Sequence, residues 1–217
     1  MKKLVFIIFI LSAIFNSGIS HAQYDYVIKN GKVVDGTGNP WYIADIGISG
    51  DKIVKIGRIE AGEADNIIDA SGKIVSPGFI DMHSHAERQI LQDPTVHNMI
   101  TQGNTTIVGG NCGGSQLNLE RFFSAFEKKG ASMNMGSLIG HNTIRRRVMR
   151  NEGREPTREE LEKMKEYVEK GMQDGALGFS TGLKYRPGVY SKTDEIIELA
   201  NIWAGEDFDR FGYTKEG

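Results

Sequence analysis

From Gly78 onward one pattern repeats four times along this chain: a short apolar run, a loop of glycine and polar residues, then a helical stretch. The runs are too short to be helices. Strands that alternate with helices make parallel βα units, because two parallel strands need a long crossover between them. The expected strands lie at 78–83, 104–108, 133–139 and 176–180. Between them, Val96, Met99 and Ile100 mark a short helix stopped by Gly103. Leu119, Phe122, Phe123 and Phe126 mark a second helix, stopped by Gly130. Thr157 and Glu160 have capping-box spacing at the start of a long helix with the apolar stripe Leu161, Met164, Val168 and Met172. Ile196, Ile197, Leu199, Ala200 and Trp203 give one more amphipathic helix.

The fold class is therefore α/β, an incomplete (β/α)8 barrel of four βα units, since a closed barrel takes about 250 residues. Residues 77–217 hold this part, and a fifth strand is expected to begin near Phe211-Gly212-Tyr213. Residues 23–76 read differently. Short β-branched runs at Tyr26–Ile28, Gly31–Val34, Ala44–Ile48, Lys52–Ile56 and Asn66–Asp69, separated by turn formers such as Asn30-Gly31, predict a small β domain. Residues 1–22 have a basic start, the apolar run Leu4–Ile14 and the small-residue end Ser20-His21-Ala22, the layout of a secretory signal peptide. That run is shorter than the roughly 20 residues of a membrane span. The expected mature protein starts at Gln23, is exported to the periplasm or beyond, and has no membrane span.

The formal charge of −2 is near balance, which gives no reason to expect nucleic acid or an anionic membrane as partner. The cluster Arg145-Arg146-Arg147 with Arg150 suits a solvated loop or a substrate carboxylate. Cys112 is the only cysteine, so no internal disulfide can form, and the thiol is either a buried apolar group or a metal ligand.

The chemistry-bearing residues sit at the expected strand ends. His83 and His85 end an apolar strand expected to be buried and are two apart, so they face the same side. Such a pair suits an ion of the zinc kind, with Asp81 beside it. Cys112 follows the next strand, His141 the third, and the loop Ser180–Tyr185 the fourth. Active sites of α/β barrels lie at that edge. Taken singly, each residue has a structural reading as well; His141 could cap a helix or brace a loop and Arg145 could pair with a carboxylate.

Four segments together carry a resemblance: Ser76–His85, Gln102–Gly113, Gly140–Arg145 and Gly175–Gly188. They resemble the D-aminoacylase (N-acyl-D-amino-acid deacylase) branch of the amidohydrolase superfamily, over about residues 26–200. The resemblance implies a zinc hydrolase acting on the linear amide of a small N-acyl-D-amino acid. It implies His83, His85 and Cys112 as metal residues, with Tyr185, His141 and Arg145 toward the substrate. The family's later metal histidines and catalytic aspartate have no counterpart, since no histidine follows His141. The final segment 201–217 departs from the family pattern, so a truncated or frameshifted product is expected, with an unpaired strand edge and poor solubility. An inactive remnant with partial metal binding, or a cyclic-amide hydrolase of the dihydropyrimidinase kind, are the competing readings.

Overall fold

A computed structural model describes residues 23–60 and 62–207; the expected signal peptide and the fifth strand near Phe211 lie outside them. The chain divides into two compact units at Pro77 and Gly78.

The first unit is a sheet of five strands: β1 (Tyr24–Val33), β2 (Tyr42–Ser49), β3 (Lys52–Gly57), β4 (Ala64–Asp69) and β5 (Ile74–Val75). Its order is β3-β2-β1-β4, with β5 also on β1. Asn30-Gly31, expected to be a turn between two strands, is instead a bulge within β1, where the register with β2 shifts between Ile28 and Gly31. Asn30 takes the left-handed conformation, φ 62°. Its backbone N–H reaches Asp45 Oδ1 and its side-chain amide reaches Asp69 Oδ1, so two distant carboxylates hold the distortion.

The second unit carries β6 (Phe79–Asp81), β7 (Asn104–Gly109), β8 (Asn134–Ser137), β9 (Ile139–Gly140) and β10 (Phe179–Ser180). β6, β7 and β8 pair in parallel in that order, and β9 pairs in parallel with β10. The third expected strand is thus split at Leu138, whose N–H bonds Gly109 O while Ile139 N–H turns to Gly178 O. That single residue hands the ladder from β7 to β10. The strands do not close into a barrel among the described residues. β6 is an edge strand there, with Phe79 and Ile80 exposed rather than in the buried setting expected for them.

The helices are α1 (Glu87–Gln92), α2 (His97–Ile100), α3 (Leu119–Lys129), α4 (His141–Met149), α5 (Arg158–Gln173) and α6 (Thr193–Asp207). Leu119, Ile139, Ile144, Met164, Val168, Met172 and Leu199 form the main core, joining α3 to α6 over β9. The predicted stripe of α5 therefore packs inward at Met164, Val168 and Met172. Its start is a complete capping box, with Thr157 Oγ1 accepting Glu160 N–H and Glu160 Oε2 accepting Thr157 N–H. Gly130 ends α3 in the left-handed conformation that glycine adopts without cost. Among the described residues no helix is long and apolar enough to cross a membrane.

Candidate metal centre

Because β6 to β10 run parallel, their C-terminal ends share one edge, and four loops converge there. The first loop begins with Asp81, whose Oδ1 accepts the His83 N–H at 3.0 Å. Ser84 N–H then bonds Val108 O at 3.1 Å, extending the β6–β7 ladder past the end of the strand. Ser84 is thereby buried, while His83 and His85 on either side are exposed. Their rings meet edge to face with centroids 5.4 Å apart.

The second loop, 110–114, carries Cys112. Gly110 opens it in the left-handed region at φ 75°, with Leu138 O only 2.1 Å from where a Cβ would stand, so no side chain fits. The buried carboxylate of Glu87, in the first turn of α1, accepts the Gly110 N–H. Asn111 donates to Val108 O at 2.8 Å and Ser84 O at 3.4 Å, joining this loop to the histidine loop. Cys112 is itself left-handed, φ 54°, a conformation rare outside glycine and asparagine. From the other side Ser180 Oγ donates to Gly110 O and accepts Gly113 N–H.

These loops bring the three expected metal residues together. Cys112 Sγ lies 3.4 Å from His83 Nε2, and one ligand atom from each of His83, His85 and Cys112 lies within 4.8 Å of the others. Tetrahedral zinc, with bonds of about 2.3 Å to sulfur and about 2.0 Å to nitrogen, would hold S and N about 3.5 Å apart. The thiol–imidazole pair matches that separation. A soft thiolate with two imidazoles is also a donor set that zinc prefers.

His141 and Arg145 are placed elsewhere. Both are fully buried on α4, with side-chain exposure of 0 %. His141 Nε2 lies 2.8 Å from Glu195 Oε1, and the Arg145 guanidinium pairs with Glu195 Oε2 and donates to Arg154 O at 2.5 Å. Burial works against ionising Glu195, but hydrogen bonds from His141 and Arg145 and the Arg145 charge outweigh it and hold the carboxyl below its ordinary range. Arg145 is therefore committed to Glu195 rather than open to a substrate carboxylate. Tyr185, in contrast, is exposed on the fourth loop.

Sequence reasoning gave no role to Glu195, Asn142, Asn111 or Glu87. Glu195 carried a signal: it lies four residues before the fully buried Leu199, on the stripe that faces the core. Helix α4 was expected as a loop. Its polar run Arg145–Arg147 hides that Ile144, Arg145 and Met149 are buried on one side.

The amidohydrolase family model matches residues 66–216. An N-acyl-D-glutamate deacylase of Alcaligenes xylosoxydans xylosoxydans is 35% identical over 204 residues, covering 84% of this chain and 42% of that protein. A D-aminoacylase of the same organism is 35% identical over 199 residues, 81% of this chain and 41% of that protein. The crystal structure of N-acyl-D-glutamate deacylase from Bordetella bronchiseptica, complexed with zinc and a phosphonate mimic of the tetrahedral intermediate, superposes with TM-score 0.79 at 33% identity. It aligns with 84% of this chain and 43% of that one. The chain thus spans about two-fifths of the length of these relatives. It belongs to the amidohydrolase family, in its D-aminoacylase branch.

Proposed function

We propose that the chain supplies the first metal-binding strands of a zinc-dependent hydrolase that cleaves the linear amide of small N-acyl-D-amino acids. The observation that carries this is the His83–His85–Cys112 cluster at the C-terminal edge of parallel strands, in a chain whose relatives are D-amino-acid deacylases. On this reading β6 to β10 are the first four strand positions of a (β/α)8 barrel, residues 23–76 are a separate small β domain, and residues 1–22 direct export.

His83, His85 and Cys112 would hold the ion. Bound there, zinc supplies a water whose pKa falls toward about 7 and polarises the acyl carbonyl. In the overall reaction the water oxygen joins the acyl carbon, the C–N bond breaks, and the amine leaves with a proton from that water. Asp81 fixes the backbone entering His83, and Asn111 keeps the thiol loop beside the histidine loop. Tyr185 is the side chain that the fourth loop offers to substrate, with the exposed cations Lys184 and Arg186 beside it for the substrate carboxylate. His141 and Arg145 serve the site by holding its loops with Glu195.

The test is hydrolysis by protein expressed from the native gene, offered N-acetyl-D-amino acids, their L-enantiomers, and dihydropyrimidines or hydantoins. Zinc-dependent release of acetate from the D-enantiomers, lost in Cys112→Ser, is the expected result. Turnover of the cyclic amides alone would replace this reading with the dihydropyrimidinase kind; zinc binding without turnover of any substrate would leave a metal-binding remnant.

A further inference from the structure

Asn142 stands where the thiol loop, the Tyr185 loop and the buried His141–Glu195–Arg145 group meet. It is the second residue of α4 and only 4% exposed. Its Nδ2 donates to Gly182 O at 3.0 Å and lies 3.5 Å from Tyr185 O, so the amide nitrogen is committed to the fourth loop. That fixes its orientation and turns Oδ1 toward His141 Nδ1, 3.2 Å away. The other ring nitrogen of His141 faces Glu195. Both ring nitrogens thus meet oxygen acceptors, and the imidazole is held at both ends.

The same carboxamide packs against the thiol loop. A Cβ at Gly113 would stand 2.6 Å from Asn142 Oδ1, and one at Gly188 would stand 2.4 Å from it, so the backbone on either side closes onto the amide. The residue after Asn142 continues the clamp: Thr143 N–H donates to Gly113 O at 3.0 Å, and Thr143 Oγ1 donates to Ser115 O and accepts Ser115 N–H. Beyond these contacts, a Cβ at Gly182 would fall 2.0 Å from Cys112 O, so the two loops touch directly. A shift of the fourth loop therefore moves the cysteine backbone.

We propose that Asn142 is a positioning residue that locks the Cys112 loop to the Tyr185 loop, with Glu195 and His141 fixing the direction in which its amide points. Its side-chain hydrogen bonds among the described residues go to His141, Gly182 and Tyr185, not to His83, His85 or Cys112. It acts by setting where the thiol and the fourth loop stand relative to each other, so that a change at either loop is felt at the other. The consequence for zinc rests on the function proposed above; the consequence for loop position does not.

The test exploits Cys112 as the sole cysteine. Its reaction rate with an aromatic disulfide reagent, measured on metal-free protein, reports the loop without any label. Asn142→Asp removes the two donor contacts while keeping the acceptor toward His141. Asn142→Ala removes the same donors without burying a new charge, and serves if the aspartate variant does not fold. Met164→Ala, a cavity in the core away from the loops, controls for lost stability alone. The expected result is a severalfold faster thiol reaction in the Asn142 variants and zinc binding weakened about tenfold to a hundredfold, the range for residues that orient ligands. Met164→Ala should lower the melting temperature without moving either quantity. Unchanged thiol reactivity in folded Asn142 variants, or an equal change in Met164→Ala, overturns the proposal. Wild-type protein that binds no zinc refutes the metal reading instead, and the thiol rate still decides the role of Asn142.

Discussion

Two clusters that contain histidine follow parallel strands, β6 and β9, and they are built in opposite ways. His83 and His85 are exposed, and the ring of His83 faces a thiol across a zinc-sized gap. His141 is fully buried, with one nitrogen on Glu195 and the other on Asn142. Position at a strand end is common to both and so does not decide what a histidine does. A ligand needs a lone pair that faces open space, and a histidine whose two nitrogens already face oxygens inside the core has none to give. The first cluster leaves its ligand atoms close together and exposed or half-buried; the second is a closed, buried hydrogen-bonded group.

The sharpest way to break this contrast is to remove one member from each cluster and measure stability by urea unfolding. Glu195→Ala leaves the Arg145 guanidinium and His141 buried without their carboxylate, and should cost about 3–5 kcal/mol, as breaking a buried pair does. His83→Ala removes an exposed ring and should stay within about 0.5 kcal/mol. Equal costs would mean that the clusters do not differ in kind. Metal affinity should show the reverse order. Cys112→Ser should weaken zinc more than about a hundredfold, beyond the usual loss for an outer partner, with little change in stability.

Acid should act on the closed cluster. Glu195 has a folded-state pKa below its ordinary 4.5, so its contribution to stability is complete above that value and is lost as pH falls through the lowered one. Melting temperature should therefore begin to fall below about pH 4.5, and Glu195→Gln should flatten part of that fall. Glu160, held at about 2 first by Arg154 and next by the Thr157 N–H, adds to the same acid loss. A smaller effect than the loss of Glu195 belongs to this surface cap. Thr157→Ala should cost about 1 kcal/mol, and a larger loss would show that α5 depends on its end more than on Met164, Val168 and Met172.

Local features were readable from the sequence. The alternation of His83 and His85, the strand before Cys112, the glycine stop at Gly130 and the Thr157–Glu160 box all follow from spacings of a few residues. What escaped depends on partners far along the chain. Asn30-Gly31 has the composition of a turn, yet Asp45 and Asp69 hold it as a bulge in a continuous strand. His141 and Arg145 drew attention as polar residues at a strand end, but Glu195, some fifty positions later, takes both. The third strand splits at Leu138 because Leu138 bonds Gly109 while the next residue, Ile139, turns to Gly178. The edge position of β6 is likewise a matter of which strands pair, and its apolar composition alone suggested burial.

Whether His83, His85 and Cys112 form a metal centre is decided by titrating the metal-free 217-residue protein with cobalt(II) and following its absorption. A thiolate-to-cobalt charge-transfer band is expected that saturates at a stoichiometric ratio, is displaced by zinc, disappears in Cys112→Ser and weakens in His83→Ala. No band in the folded wild-type protein, or an equal band in Cys112→Ser, would contradict it.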